Sequence, residues 1–136
     1  ADVMDGLLRL LVADAVDYTI FWRRLSQGVA HNDFVPVRDM FIDRAAFDTW
    51  LLSYQELTAL TDKGLSADLM LKTNPKFILR NHVAEQAIRA AQQGDFGELR
   101  TLQTLLARPF NEHPGFEAYA DFAPAWASTL SISCSS

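Results

Sequence analysis

Residues 43–60, DRAAFDTWLLSYQELTAL, carry the clearest helical signal in the chain. Apolar side chains recur there three or four residues apart, so at about 100° per residue they share one narrow arc of a helix. Asp43 or Asp48 is predicted to cap or lead this helix. The stretch therefore predicts an amphipathic helix whose core face consists of Phe47, Trp50, Leu51, Tyr54, Leu57 and Thr58.

Two further helices are predicted upstream of this stretch. The first is predicted from one apolar stripe that consists of Met4, Leu7, Leu8 and Leu11. The second is predicted to run from a cap at Asp14 to an end at Gly28. Residues 29–42 show no clear period and are predicted to be a long connection. Their apolar content predicts that this connection lies against the body of the protein.

Shorter signals predict two helices downstream. Ser66 is expected to cap a short helix through Leu71, and Asn74, with Pro75 behind it, is expected to start a longer helix that ends at Gly94. The face of this longer helix that packs on the core is predicted to contain Phe77, Ala84, Ile88 and Ala91.

The last predicted helix lies within DFGELRTLQTLLARP, residues 95–109. Asp95 is expected to cap it, Glu98 to complete a capping box, and Pro109 to close it. Its predicted stripe is Leu99, Leu102 and Leu106. The letters DFG also form the metal motif of protein kinases, but that motif needs a preceding strand, so we interpret them as a cap and a turn.

These patterns predict an all-α fold, because no stretch alternates convincingly with the period of a strand. We expect an irregular bundle of about five or six helices that forms a single domain over residues 1–136. Residues 110–136 hold two of the five prolines and several aromatic side chains. They are predicted to be a mostly irregular, aromatic-rich wrap and tail.

Composition and charge argue against several classes of partner. The chain has 136 residues, a net charge of −5 and a pI near 5.0, which disfavours nucleic acid, since nucleic acid is held mainly by Lys and Arg. No apolar run approaches the roughly 20 residues of a membrane span. A single cysteine cannot form an internal disulfide, so a reducing compartment is expected. The chain opens without an initiating Met, and we expect a processed chain or a piece of a longer protein.

No catalytic, cofactor or metal site is predicted from local motifs. His31, His82 and His113 lack the paired spacing of metal ligands and are interpreted as surface or satisfied histidines. The chain has no glycine-rich phosphate loop, so no cofactor-binding residue is expected. Arg80 and Asn81 lie on or beside an apolar stripe and must be paired if buried. Two interpretations stay open: Arg80 and Asn81 anchor neighbouring loops, or they contact a partner domain.

Cys134 is the one candidate site residue, and the predicted role is redox chemistry. Its neighbours Ser133, Ser135 and Ser136 are small and uncharged, so nothing local lowers the pKa of the thiol. Two interpretations stay open: an inert thiol on a frayed end, or a reactive thiol activated by another part of the protein.

Three segments together resemble the C-terminal region of the selenoprotein O family, called YdiU in bacteria. They are VDYTIFWRRLS at residues 16–26, NPKFILRNHVAEQAIRAAQQGDFGELRTLQTLLARPF at residues 74–110, and SCSS at residues 133–136. The order and spacing of the segments also match, and the resemblance runs over essentially the whole chain.

The resemblance implies that the longer protein is a protein adenylyltransferase. Its kinase-like core uses ATP and Mg²⁺ or Mn²⁺ to transfer AMP to Ser, Thr or Tyr of target proteins. The ATP and metal residues of that core match no position here, so this chain alone is expected to be inactive. Animal members are mitochondrial and carry selenocysteine at the position that matches Cys134; a bacterial, cytoplasmic location is expected here.

The function implied is a structural and regulatory helical region that packs against the upstream core and presents a redox-responsive Cys134. One alternative is a stand-alone helical module for protein interaction, and another is an autonomous thiol oxidoreductase. If the core is absent, the face that normally meets it is bare, so the chain is expected to self-associate.

Overall fold

The computed structural model describes residues 2–124 and is all-helical, which confirms the predicted fold class. Seven α-helices and one 3-10 helix lie in this part of the chain, and it contains no strand. Among these residues, no helix is both long and apolar enough to cross a membrane. The elements are α1 (Asp2–Ala13), α2 (Tyr18–His31), α3 (Val35–Arg38), α4 (Arg44–Leu57), α5 (Lys63–Thr73), α6 (Asn81–Gln92), α7 (Gly97–Ala107) and the 3-10 helix Glu117–Ala120.

The chain divides into two compact units, Ala1–Asn74 and Pro75–Ser136. Unit 1 contains α1 to α5, and the described part of unit 2 contains α6, α7 and the 3-10 helix. The expectation that residues 1–136 form a single domain stays a prediction.

Aromatic packing forms the core of unit 1. The rings of Phe41 and Phe47 stack with centroids 4.8 Å apart, and Phe21 meets Phe41 edge to face at 5.9 Å. Trp50 lies against the same cluster, and its indole Nε1 donates a 2.9 Å hydrogen bond to the carbonyl of Val3 in α1. The predicted amphipathic face of α4 is therefore confirmed at its two most buried positions, Phe47 and Trp50.

The N-terminus of α4 is capped by Asp43, one of the two predicted candidates. Its Oδ1 accepts a 3.0 Å hydrogen bond from the amide of Ala46. The other candidate, Asp48, instead accepts from Arg38, with Nε–Oδ1 and Nη2–Oδ2 distances of 2.8 and 3.2 Å.

The predicted bounds of the second helix are wrong at both ends. Asp17, not Asp14, caps α2, and Asp14 accepts instead from the amides of Ile42 and Asp43. The carboxylate of Asp14 thus holds the chain that enters α4. At the other end α2 continues past Gly28 to His31. Its C-cap is Asn32, whose φ of 51° is the left-handed conformation that ends many helices.

Gly28 lies inside α2 and does not end the helix as predicted; its role is to leave room for a neighbouring ring. A Cβ placed on it would lie 2.7 Å from Cδ1 of Phe34, so the glycine permits this ring to approach α2 closely. The predicted connection after Gly28 also contains α3 and is shorter than expected. Its expected packing is confirmed, because Val37 and Phe41 are fully buried.

The predicted cap of the fifth helix is also wrong. Asp62 caps α5 through a 3.1 Å hydrogen bond from the amide of Leu65, and Ser66 lies inside the helix. Asn74, the predicted start of the next helix, is the C-cap of α5. Its side-chain amide donates to the carbonyl of Met70 at 2.9 Å, which closes the last turn.

Backbone hydrogen bonds within unit 2 explain why α6 does not start directly after Pro75. The amides of Lys76 and Phe77 both donate to the carbonyl of Pro109, at 2.9 and 3.2 Å, so this segment is held extended. The helix starts at Asn81 and ends before Gly94, whose φ of +85° confirms the predicted stop.

The packed faces of α6 and α7 differ in part from those predicted. In α6 the buried residues include Val83, Ala84 and Ala87, whereas the predicted Ile88 is exposed. In α7 they are Leu102 and Leu105, and the predicted Leu99 is exposed.

The predicted cap at Asp95 is wrong, because Phe96 is the N-cap of α7, and the predicted capping box is not formed. Oδ1 of Asp95 accepts a 3.0 Å bond from the amide of Gly97, which confirms the DFG letters as a turn. The carboxylate of Glu98 instead accepts from the hydroxyl of Tyr119. Apart from the 3-10 helix, residues 108–124 are irregular, as expected, and residues 125–136 lie outside the described part.

Candidate functional site

Cys134, the predicted redox residue, lies outside the described residues. Its role therefore stays a prediction, and the candidate site within the structure is sought among residues 2–124. In each unit, one pocket is lined by titratable side chains.

The pocket in unit 2, called the His82 pocket, is an open groove of about 410 Å³. It is built by one face of α6, the start of α7 and the irregular segment around the 3-10 helix. The residues that line it are His82, Val83, Gln86, Glu98, Ala118, Tyr119, Asp121, Phe122 and Pro124.

Tyr119 and Glu98 form the polar centre of the His82 pocket. The phenol of Tyr119 donates a 2.8 Å hydrogen bond to Oε2 of Glu98, and its ring packs against the small cluster of Val83, Ala87 and Leu102. Burial raises the pKa of Tyr119 above its ordinary 10.0, and the nearby Glu98 carboxylate raises it further. The phenol therefore keeps its proton at neutral pH and acts as a hydrogen-bond donor.

His82 contributes a buried imidazole to the same pocket. Its side chain is 8% exposed and has partners within the structure, which agrees with a satisfied histidine rather than a surface one. Burial lowers the pKa of His82 below its ordinary 6.5, and the positive charge of Arg80 lowers it further. The imidazole is therefore neutral at pH 7.

The pocket thus combines a neutral imidazole, a protonated phenol and the carboxylates of Glu98 and Asp121. Such a set favours a hydrogen-bonding or positively charged group over an anion. The sequence did not mark this set, because Tyr119 lies in a segment with no periodic pattern.

The pocket in unit 1, called the Tyr54 pocket, has a volume of about 240 Å³ and mainly apolar walls. Val29, Phe34 and Tyr54 are among the residues that line it, and Lys63 supplies its one charged side chain. The ring of Tyr54 also stacks on Trp50 at 5.2 Å. The volume lies below the roughly 300–1,000 Å³ of pockets for drug-sized ligands, so this pocket fits only a small, largely apolar group.

The other two histidines are not part of either pocket. His31 is an exposed residue in the last turn of α2. His113 has a φ of +45°, its Nε2 lies 2.9 Å from the carbonyl oxygen of Arg108, and its ring meets Phe77 edge to face at 5.3 Å. His31 thus belongs to unit 1, whereas His113 belongs to unit 2 together with His82.

A buried arginine is a feature that the sequence did not single out. Arg23 is buried, and its Nη1 donates to the carbonyls of Leu71 and Asn74, both at 3.0 Å. The guanidinium therefore holds the C-terminal end of α5 against α2. Arg80, which is predicted to be paired if buried, is the N-cap of α6 and has partners in the structure, whereas Asn81 is the first residue of that helix.

The described residues contain no cluster that fits a metal ion. Between residues 2 and 124, no three His, Cys, Asp or Glu side chains are grouped so that they could hold a metal ion. We therefore assign no step of nucleotide transfer to these residues.

No family model matches the chain. Curated proteins do match it, and three of them share the name Protein nucleotidyltransferase YdiU. The protein of Variovorax paradoxus (strain S110) is 58% identical over 134 residues, which are 98% of this chain and 27% of that protein. The protein of Albidiferax ferrireducens is 57% identical with the same coverage, and that of Cupriavidus metallidurans is 46% identical over 98% of this chain and 25% of its own length.

The chain thus spans about a quarter of the length of the curated relatives that it matches. The resemblance carried by the three sequence segments is confirmed: this chain corresponds to a C-terminal region of the YdiU family.

Proposed function

We propose that this chain is the helical C-terminal region of a bacterial protein adenylyltransferase. The proposed reaction of the whole protein is transfer of AMP from ATP, with Mg²⁺ or Mn²⁺, to Ser, Thr or Tyr of target proteins. The proposed catalytic part is a kinase-like core elsewhere in the same protein, and the proposed location is the bacterial cytoplasm.

One observation carries this proposal: 58% identity over 98% of the chain to a protein nucleotidyltransferase of which the chain spans only 27%. High identity over the whole chain supports a shared role. Because the chain covers only 27% of the relative, the comparison also supports a role as one region of a larger protein. The described residues contribute helical packing surfaces and two pockets.

The role proposed for this region is structural and regulatory. Its helices would pack on the core, and Cys134 would respond to the redox state of the cell. Support for a thiol partner outside this chain is that Cys134 is its only cysteine. Replacing Cys134 by Ser in the longer protein should abolish any change of AMP transfer between reducing and oxidising buffers; an unchanged response would contradict the redox role.

Calorimetry on this chain tests whether nucleotide chemistry resides elsewhere. Titration of the chain with ATP and Mg²⁺ should give no binding heat in the micromolar range, because no phosphate loop is present in its sequence. A dissociation constant in the micromolar range would contradict the proposal. The intact Variovorax relative is the positive control.

A further inference from the structure

We infer that three residues on one side of α1 form a docking ridge for an apolar helix in the remainder of a longer YdiU-type protein. The residues are Met4, Leu8 and Val12, here called the outer ridge. This inference rests on the proposed function and names the surface through which the chain would act.

The outer ridge is a continuous apolar row on the surface. Its members are four residues apart, so they lie one above the other on the helix. Met4 is 47% exposed, Leu8 45% and Val12 81%. Single exposed apolar residues are ordinary, but a row of three on one short helix is not.

The core of unit 1 does not account for this row. Leu7 and Leu11 already supply the buried face of α1, at 1% and 6% exposed. At about 100° per residue the outer ridge lies beside that face, whereas the charged Asp5 and Arg9 lie farther round the helix. A surface helix normally needs one apolar stripe, so α1 is built to be covered on a second side.

The spacing of the ridge points to a helix as its partner. Rows of side chains four residues apart are the ridges that fit into the grooves of a neighbouring helix in globular proteins. The ridge itself contains no charged residue, so its complement is the apolar face of an amphipathic helix.

The share of a relative's length that this chain matches indicates where the partner helix comes from. The matched stretch is 27% of the Variovorax protein, so most of that polypeptide is additional chain covalently joined to this region. A joined segment binds at a high effective concentration, which favours it over a second copy of this chain.

A chimera of the Variovorax relative, in which this chain replaces the stretch that it matches, provides the test. Two variants are compared in the chimera and in the isolated chain. Leu8→Lys places a charge on the outer ridge, and Ala13→Lys adds the same side chain to an exposed position of α1 away from the ridge.

We expect Leu8→Lys to lower the melting temperature of the chimera by roughly 4 °C more than that of the isolated chain. Ala13→Lys should have the same small effect in both proteins. Hydroxyl-radical oxidation of Met4 should also be roughly fivefold slower in the chimera, since oxidation follows exposure. Met40 and Met70, which are partly buried, serve as internal references.

Two results would overturn the inference while leaving the proposed function intact. In the first, a folded and active chimera tolerates Leu8→Lys as well as Ala13→Lys, and Met4 is oxidised at the same rate as in the isolated chain. In the second, the isolated chain sediments as a dimer that Leu8→Lys dissociates, which assigns the ridge to a second copy. A chimera that fails to fold, beside a folded relative, would contradict the proposed function and the inference together.

Discussion

The hydroxyl of Tyr119 donates a 2.8 Å hydrogen bond to the carboxylate of Glu98, which ties the irregular segment after α7 to the first turn of that helix. A hydrogen bond to a charged group stabilises more than one between neutral groups. The bond joins residues 21 positions apart and is the main polar contact in the His82 pocket.

Removing this hydroxyl should destabilise unit 2 modestly. Tyr119→Phe keeps the ring but leaves Glu98 without its donor, and we expect a loss of about 1 kcal/mol in the free energy of unfolding. Chemical denaturation measures the change. Tyr18→Phe is the matched control, because Tyr18 is exposed and its hydroxyl makes no hydrogen bond to another described residue. Equal effects of the two variants would show that the bond contributes nothing.

Protonation of His82 should destabilise the fold at acidic pH. The folded-state pKa of His82 is lowered below 6.5 by burial and by Arg80, so the neutral form is favoured in the folded state. The stabilisation is therefore present above pH 6.5 and is lost as the pH falls through the folded-state pKa.

Nuclear magnetic resonance and denaturation both check this expectation. The imidazole signal of His82 should titrate below pH 6.5 in the folded protein. The variant His82→Gln should flatten the fall of unfolding free energy that begins near pH 6.5 and continues to lower pH. A His82 signal that titrates above pH 6.5 would rule out the assigned environment.

Loss of the buried guanidinium of Arg23 should be costly. Arg23→Met leaves the carbonyls of Leu71 and Asn74 without their donor, and we expect a loss of about 2–4 kcal/mol in unfolding free energy. Arg24→Met is the control, because Arg24 makes its bond to Pro36 at the surface and should lose less than about 1 kcal/mol. Equal losses of unfolding free energy in Arg23→Met and Arg24→Met would contradict the role assigned to Arg23.

Alanine at Gly28 should destabilise the protein although Gly28 lies inside a helix. Its new Cβ would meet Cδ1 of Phe34 at 2.7 Å, and we expect a cost of about 1–3 kcal/mol from the forced movement of the ring. At Gly6 the nearest contact would be an ordinary 3.7 Å to Trp50. Gly6→Ala should therefore stabilise α1 by about 0.5–1 kcal/mol. Thermal denaturation that places both variants on the same side of the parent protein would contradict the close approach.

Local signals in the sequence were sufficient to predict part of the fold. The cap at Asp43, the buried face at Phe47 and Trp50, and the stop at Gly94 depend on residues within one or two turns of each other. Such features are encoded in short stretches, so periodicity and capping rules recover them.

Long-range pairing explains where the prediction failed. Asn74 and Pro75 look like a helix start, but the amides of Lys76 and Phe77 bond to the carbonyl of Pro109, far along the chain. These two hydrogen bonds outweigh the local helix-start signal, because the backbone donors of an extended segment must be satisfied.

The same argument applies to the site. The His82 pocket depends on Tyr119 meeting Glu98, and no local pattern around Tyr119 indicates that contact. The family was recognisable for the opposite reason, since its three segments are contiguous stretches of sequence.

Transfer of labelled AMP from ATP to acceptor proteins tests the central claim most directly. Three proteins are compared: the intact Variovorax relative, the same protein without the stretch that this chain matches, and the folded chimera that carries this chain in its place. The account predicts that deletion lowers the rate at least roughly tenfold and that the chimera restores it. Full activity of the deleted protein, or an inactive chimera that is folded, would contradict the claim that this chain is a working region of a protein nucleotidyltransferase.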